Sequence, residues 1–128
     1  MKSEVAQAIE ELRRQFPDAA IEVTEEGQGG AMVVVNPVRI GPRFVPQATW
    51  LGAHIPALYP YADIYPVFMD AQVRRADGIA FVPPITPNAT FAGRPALQIS
   101  RRNPQVQQYP QTTVMKFLKV IDFLEKLP

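Results

Sequence analysis

Residues 86–99 read TPNATFAGRPALQI, and how this stretch is taken decides the fold. It has the layout of a catalytic loop: a Pro87-Asn88 turn, a bend at Gly93, and a short apolar strand carrying Leu97 and Ile99. Pro87 fixes φ and stiffens the turn, so that the Asn88 amide is held in one place. Where a nucleophile would be expected, Ala96 offers only a methyl group. The stretch lies inside a longer segment, residues 79–110, that has little periodic signal except near Leu97 and Ile99. A connection of that length in a small domain is more often functional than not.

The chain on either side is more regular. After the loop, the sequence predicts a helix from about Thr112 to Leu127, with Val114, Phe117, Leu118, Ile121 and Leu124 as its core stripe. Met115, Val120 and Phe123 widen that stripe, as expected for a helix lying across a sheet. Before the loop, Val67–Val73 reads as a fourth strand, with Val67, Met69, Ala71 and Val73 on one face. Residues 74–78 read as a turn. Ala48–Ile55 is a third strand, separated from the fourth by PALYPYADIYP, which is too rich in proline and aromatics for regular structure. Ile21–Thr24 and Ala31–Val35 form the first hairpin around a Gly-rich loop. The amino-terminal segment is an amphipathic helix: Val5, Ala8, Ile9, Leu12 and Phe16 recur at helical spacing, Ser3 is its expected cap, and Phe16-Pro17-Asp18 ends it. The resulting order is helix, four-stranded antiparallel meander, long loop, helix, an α+β layer fold in a single domain over residues 1–128.

Composition narrows the function classes. The chain has 128 residues, with 13 Lys and Arg against 12 Asp and Glu. A net charge of +1 gives no global attraction to nucleic acid. No apolar run is long enough to span a membrane, and MKSEVAQAIEELRRQF lacks the apolar segment of a signal peptide, which points to the cytoplasm. There is no cysteine, so the chain as written has no disulfide, thiolate metal site or cysteine nucleophile. A single histidine, His54, argues against a histidine-based metal site. No cofactor is implied. Prolines number 14, of which 12 fall between Pro37 and Pro110, so the middle of the chain reads as short strands joined by stiff connections.

The order of elements, the Tyr59-Pro60 corner after the third strand, and the Thr86-Pro87-Asn88 turn eight residues before Ala96-Leu97 together resemble the ubiquitin-conjugating enzyme family. In that family a His-Pro-Asn turn precedes the catalytic Cys by the same spacing, and Gly93 sits where many members have a glycine. Thr86 departs from the pattern by replacing His, and the Tyr59–Pro66 segment is one or two residues longer than usual. A family Trp after the loop has only Tyr109 as a substitute here. With one long helix after the loop, the plan looks like that of short bacterial members encoded beside activating enzymes, some of them in antiphage defence.

The resemblance implies a specific chemistry. A cysteine at position 96 would take the carboxyl terminus of a ubiquitin-like modifier from an activating enzyme as a thioester and pass it to an amine of an acceptor protein. Asn88 would stabilise the oxyanion or order the loop, supported by Thr86, Pro87, Gly93 and Leu97. Lys2, Arg13 and Arg14 on the first helix would dock the activating enzyme. Ala96 forms no thioester, and two explanations stand. Either a native Cys has been replaced by Ala, which the persistence of Pro87, Asn88, Gly93 and Leu97 favours, or this is a naturally cysteine-less variant that binds a ubiquitin-like protein or another partner.

Simpler roles compete for the same residues. Asn88 taken alone is a turn residue that bonds its own backbone, and Gly93 is a turn glycine. Tyr59-Pro60 and Tyr65-Pro66 are packing corners holding the sheet to the last helix, and Trp50 belongs to the core or a sheet face. His54, among non-acidic sequence neighbours, is structural. Arg74-Arg75 and Arg101-Arg102 are solvated charge, and Asn103, Gln105, Gln107 and Gln108 form a polar loop that borders the active site or faces solvent.

Overall fold

In the computed structural model, which describes residues 1–128, helix α1 (Ser3–Gln15) turns Val5, Ala8, Ile9 and Leu12 inward. These are the i, i+3, i+4 and i+7 positions that the sequence pattern marks. Ser3 is the first helical residue rather than the cap, and its hydroxyl donates to the Glu4 carboxylate at 2.7 Å. That bond is the main reason the Glu4 carboxyl is held below the usual carboxylate range. Lys2 occupies the cap position, with its N–H bonded to the Gly29 carbonyl at 3.0 Å.

Eight strands follow. They are β1 (Ala20–Glu25), β2 (Ala31–Arg39), β3 (Phe44–Val45), β4 (Ala48–Ile55), β5 (Val67–Asp70), β6 (Arg74–Arg75), β7 (Ile85–Phe91) and β8 (Arg94–Ile99). The chain closes with helix α2 (Thr113–Glu125). Six of the strands make one antiparallel sheet in the order β1-β2-β4-β5-β8-β7, while β3 and β6 pair separately. The sheet is therefore six-stranded where four strands are expected from the sequence. The additional pair, β7 and β8, comes from the segment that reads as a long irregular loop.

The reason lies in turn chemistry. Ala92 and Gly93 form a two-residue hairpin turn, with φ of 51° and 73°, between the paired residues Phe91 and Arg94. Both central residues take positive φ, as a type I′ turn requires, but Ala-Gly lacks the Asn-Gly or Asp-Gly signature that announces such a turn in sequence. The two prolines that argue against strands are placed where a sheet tolerates them. Pro87 sits on the outermost strand, in a bulge between Thr86 and Ala89, and Pro95 lies beyond the last β8 residue paired with β5.

The two helices pack together on one face of the sheet. The main core lies between them and Val33, Val35, Leu51, Ala53, Ile55, Val67, Met69, Leu97 and Ile99. The buried stripe of α2 is Thr113, Lys116, Phe117, Val120 and Leu124, rotated from the expected one. Leu118 and Met115 face outward, and the buried lysine takes a place the sequence pattern gives to apolar residues. Both ends of α2 are tied down. Its first N–H, that of Thr113, donates to the Tyr59 hydroxyl at 3.1 Å, and Thr112 Oγ1 accepts from Met115 N–H at 3.1 Å. At the other end Arg43 Nη1 donates to the Glu125 carbonyl at 2.8 Å, and Arg75 reaches the Pro128 carbonyl. These cations stand where the helix dipole is negative.

Candidate functional site

The β7–β8 hairpin sets the geometry of residues 86–99. Side chains alternate along β8, so Leu97 and Ile99 enter the main core while Arg94, Ala96 and Gln98 face the other side of the sheet. Ala96 is paired with Asp70 of β5 on one side and Ala89 of β7 on the other, and it is 0% exposed. Its neighbours are Val34, Trp50, Phe68 and Phe91, a second, smaller core on the face away from the helices.

The hairpin tip closes over that face. The Phe91 ring stacks on Phe68 at 4.7 Å and on Trp50 at 6.2 Å, and it meets the edge of His54 at 5.2 Å. Gly52 makes this possible, since a Cβ there would stand 2.5 and 2.7 Å from Phe91 ring carbons. At the tip, Arg94 lies over Trp50 at 5.8 Å and pairs with Glu22 of β1, the strand at the opposite end of the sheet order. The hairpin therefore folds back across the sheet. His54 Nδ1 meets both carboxylate oxygens of Glu26 at 3.1 Å, an acidic partner brought from the far side of the β1–β2 loop that its sequence neighbours do not reveal.

The residues expected to act together are distributed unevenly. Asn88 precedes Ala89, the direct partner of Ala96, so the eight-residue spacing does bring the two positions onto neighbouring strands. Asn88 is exposed, at φ 68°, in the bulge that also exposes Pro87. Thr86 is half-buried opposite Gln98, and Gly93 serves the hairpin turn. Leu97 is a core residue pointing away from Ala96. Lys2 stands at one end of α1 and Arg13 and Arg14 at the other, with Arg13 paired to Glu10 at 3.4 Å. A helix of 13 residues separates its ends by about 20 Å, so these three side chains do not form one patch.

A second site, missed in the sequence, lies beneath the 100–112 connection. Lys116 is 3% exposed, and its ammonium donates to Asp63 Oδ1 at 3.1 Å, to Oδ2 at 3.4 Å, and to the Arg101 carbonyl. Asp63 Oδ2 also accepts the Asn103 N–H at 2.7 Å, which anchors the connection. Burial pulls the Lys116 pKa below the usual lysine value, with the Asp63 bond opposing that shift. Beside this pair is a cavity of about 500 Å³, lined among others by Arg101, Arg102, Lys119 and Lys126. The signal for it was present in the sequence: Lys116, Lys119, Phe123 and Lys126 recur at helical spacing on one face of α2.

No helix is long and apolar enough to cross a membrane. Comparison with models of known protein families, with curated proteins and with solved structures finds no match to this chain.

Proposed function

We propose that this chain is a ubiquitin-conjugating-enzyme-like domain of the cysteine-less kind, which binds a ubiquitin-like protein or its partner without transferring it. The likeness of plan is supported by α1, by the four strands β1-β2-β4-β5 lying side by side in chain order, by the Tyr59 corner between β4 and β5, and by α2. The observation that carries the non-catalytic reading is the packing of Ala96. A nucleophile must meet an incoming thioester and then an amine, so it needs partial exposure. Position 96 has none: it is flanked by strands and covered by Trp50, Phe68 and Phe91.

The transferring form, in which a native Cys stands at 96 and an activating enzyme, a modifier and an acceptor protein are its partners, is the second reading. The juxtaposition of Asn88 with the Ala89–Ala96 pair favours it. One experiment separates the two. Ala96→Cys is incubated with a candidate modifier, its activating enzyme and ATP, with folding checked by circular dichroism. The non-catalytic reading expects no reducible adduct and binding of modifier or partner that persists without ATP. A reducible adduct on the introduced thiol would overturn it in favour of the transferring form.

A further inference from the structure

The basic cavity beside α2 has the features of a ligand site unrelated to position 96. Five cations, Arg101, Arg102, Lys116, Lys119 and Lys126, line it against one carboxylate, Asp122. The whole chain carries only 13 basic residues against 12 acidic ones, so this concentration is local. Lys116 is spent on Asp63 and forms a fixed floor. Lys126 is shared with Asp122 at 3.0 Å. Arg101, Arg102 and Lys119 have no carboxylate within ion-pair distance. The two guanidinium groups are instead held against rings, Arg101 over Phe123 at 4.6 Å and Arg102 over Tyr65 at 3.9 Å. Stacking fixes a guanidinium while leaving its N–H edge free to donate, which suits the geometry of a phosphate.

A further observation points inward. Gln111 lines the same cavity, and its side-chain oxygen is buried with no hydrogen-bond partner. Such an atom requires a donor, and a ligand hydroxyl supplies one. The cavity volume lies in the range of small-molecule sites. A net charge of +1 over the whole chain does not suit a polynucleotide.

The geometry points to a binding site for a small organic phosphate that also carries hydroxyl groups. Its phosphate is held by Arg102, Lys119 and Lys126, and a hydroxyl donates to the Gln111 side-chain oxygen. Nucleotides and sugar phosphates share this chemistry. The site stands independently of the partner-binding reading, and failure of one leaves the other intact.

Titration calorimetry of the full chain at low ionic strength tests it, with AMP, ribose 5-phosphate, inorganic phosphate and adenosine as probes. AMP and ribose 5-phosphate are expected to bind, adenosine is not, and affinity falls as salt is added. Tighter binding of AMP than of ribose 5-phosphate assigns the ligand to nucleotides, and equal binding assigns it to sugar phosphates. Lys119→Ala and Arg102→Ala, both at exposed positions, each weaken binding about tenfold. Gln111→Ala weakens the two hydroxylated phosphates but not inorganic phosphate. Three results would overturn the proposal: no phosphate binding at millimolar concentration, affinity unchanged in Lys119→Ala, or binding of a single-stranded oligonucleotide where AMP and ribose 5-phosphate fail.

Discussion

Closure of the hairpin over the outer sheet face makes Gly52 and Phe91 an interlocked pair, and their coupling can be measured. An alanine Cβ at position 52 would lie 2.5 and 2.7 Å from Phe91 ring carbons and 3.3 Å from Trp50 Cζ3. Carbon atoms rest at about 3.5–4.0 Å, so the ring must retreat by about 1 Å. Phe91 is held between Phe68, Trp50 and His54, and retreat loosens all three contacts. Overpacking of this kind costs about 1–3 kcal/mol. It is offset by about 0.5–1 kcal/mol because alanine loses less backbone freedom than glycine in a strand. Gly52→Ala should therefore destabilise the chain by about 1–2 kcal/mol. Phe91→Ala should cost about 3 kcal/mol, from lost burial and the cavity left above Gly52. In the Phe91→Ala background the main clash is gone, and Gly52→Ala should become neutral or stabilising by about 0.5 kcal/mol. Urea unfolding of the four proteins gives the coupling energy, expected at about 2 kcal/mol. Equal costs for Gly52→Ala in the two backgrounds would refute the packing of the hairpin tip onto β4.

Other expectations follow from the α2 contacts. Tyr59→Phe removes the hydroxyl that accepts the buried Thr113 N–H, and it should cost about 1–2 kcal/mol in urea unfolding with the fold retained. Asp63→Asn leaves the Lys116 ammonium buried without its counter-charge, and a loss of about 3 kcal/mol is expected in the same assay. The lowered pKa of Lys116 has a defined sign in linkage. The unfolded chain holds this proton more tightly than the folded chain, so the charged form disfavours folding below the folded-state pKa. That cost is relieved as pH rises from the folded-state value toward the unfolded value of about 10.4. Wild type should thus gain stability relative to Lys116→Met across that alkaline window. A pH-independent difference between the two would contradict the assignment.

Much of the plan was legible because its elements announce themselves by period. The stripe of α1 and the run Ala48–Ile55 lie where the sequence pattern puts them. Tyr59 does bind the last helix, as a packing corner should. The hairpin was hidden because its turn is Ala-Gly and its strands carry Pro87 and Pro95, each a local signal against strand that its place in the sheet overrides. The stripe of α2 was misplaced for a different reason. Lys116 carries an amine on an aliphatic stem, and only a partner 53 residues away, Asp63, makes its burial acceptable. No window of sequence contains both. The candidate site shows the same division. Spacing brought Asn88 beside the Ala89–Ala96 pair, but spacing carries no information about which side of β8 is covered. That depended on Phe91, Trp50 and Phe68 meeting across strands distant in the chain.

The central claim is that position 96 is a packing site beneath an aromatic cover, and thiol accessibility tests it most directly. Ala96→Cys gives the chain its single cysteine, which is exposed to a thiol reagent under native conditions while unfolding is followed in parallel. The account predicts protection, with labelling no faster than the opening that unfolds the chain and full reactivity only in denaturant. Labelling of the folded protein at the rate of a free, exposed cysteine would contradict it and return position 96 to the role of a nucleophile.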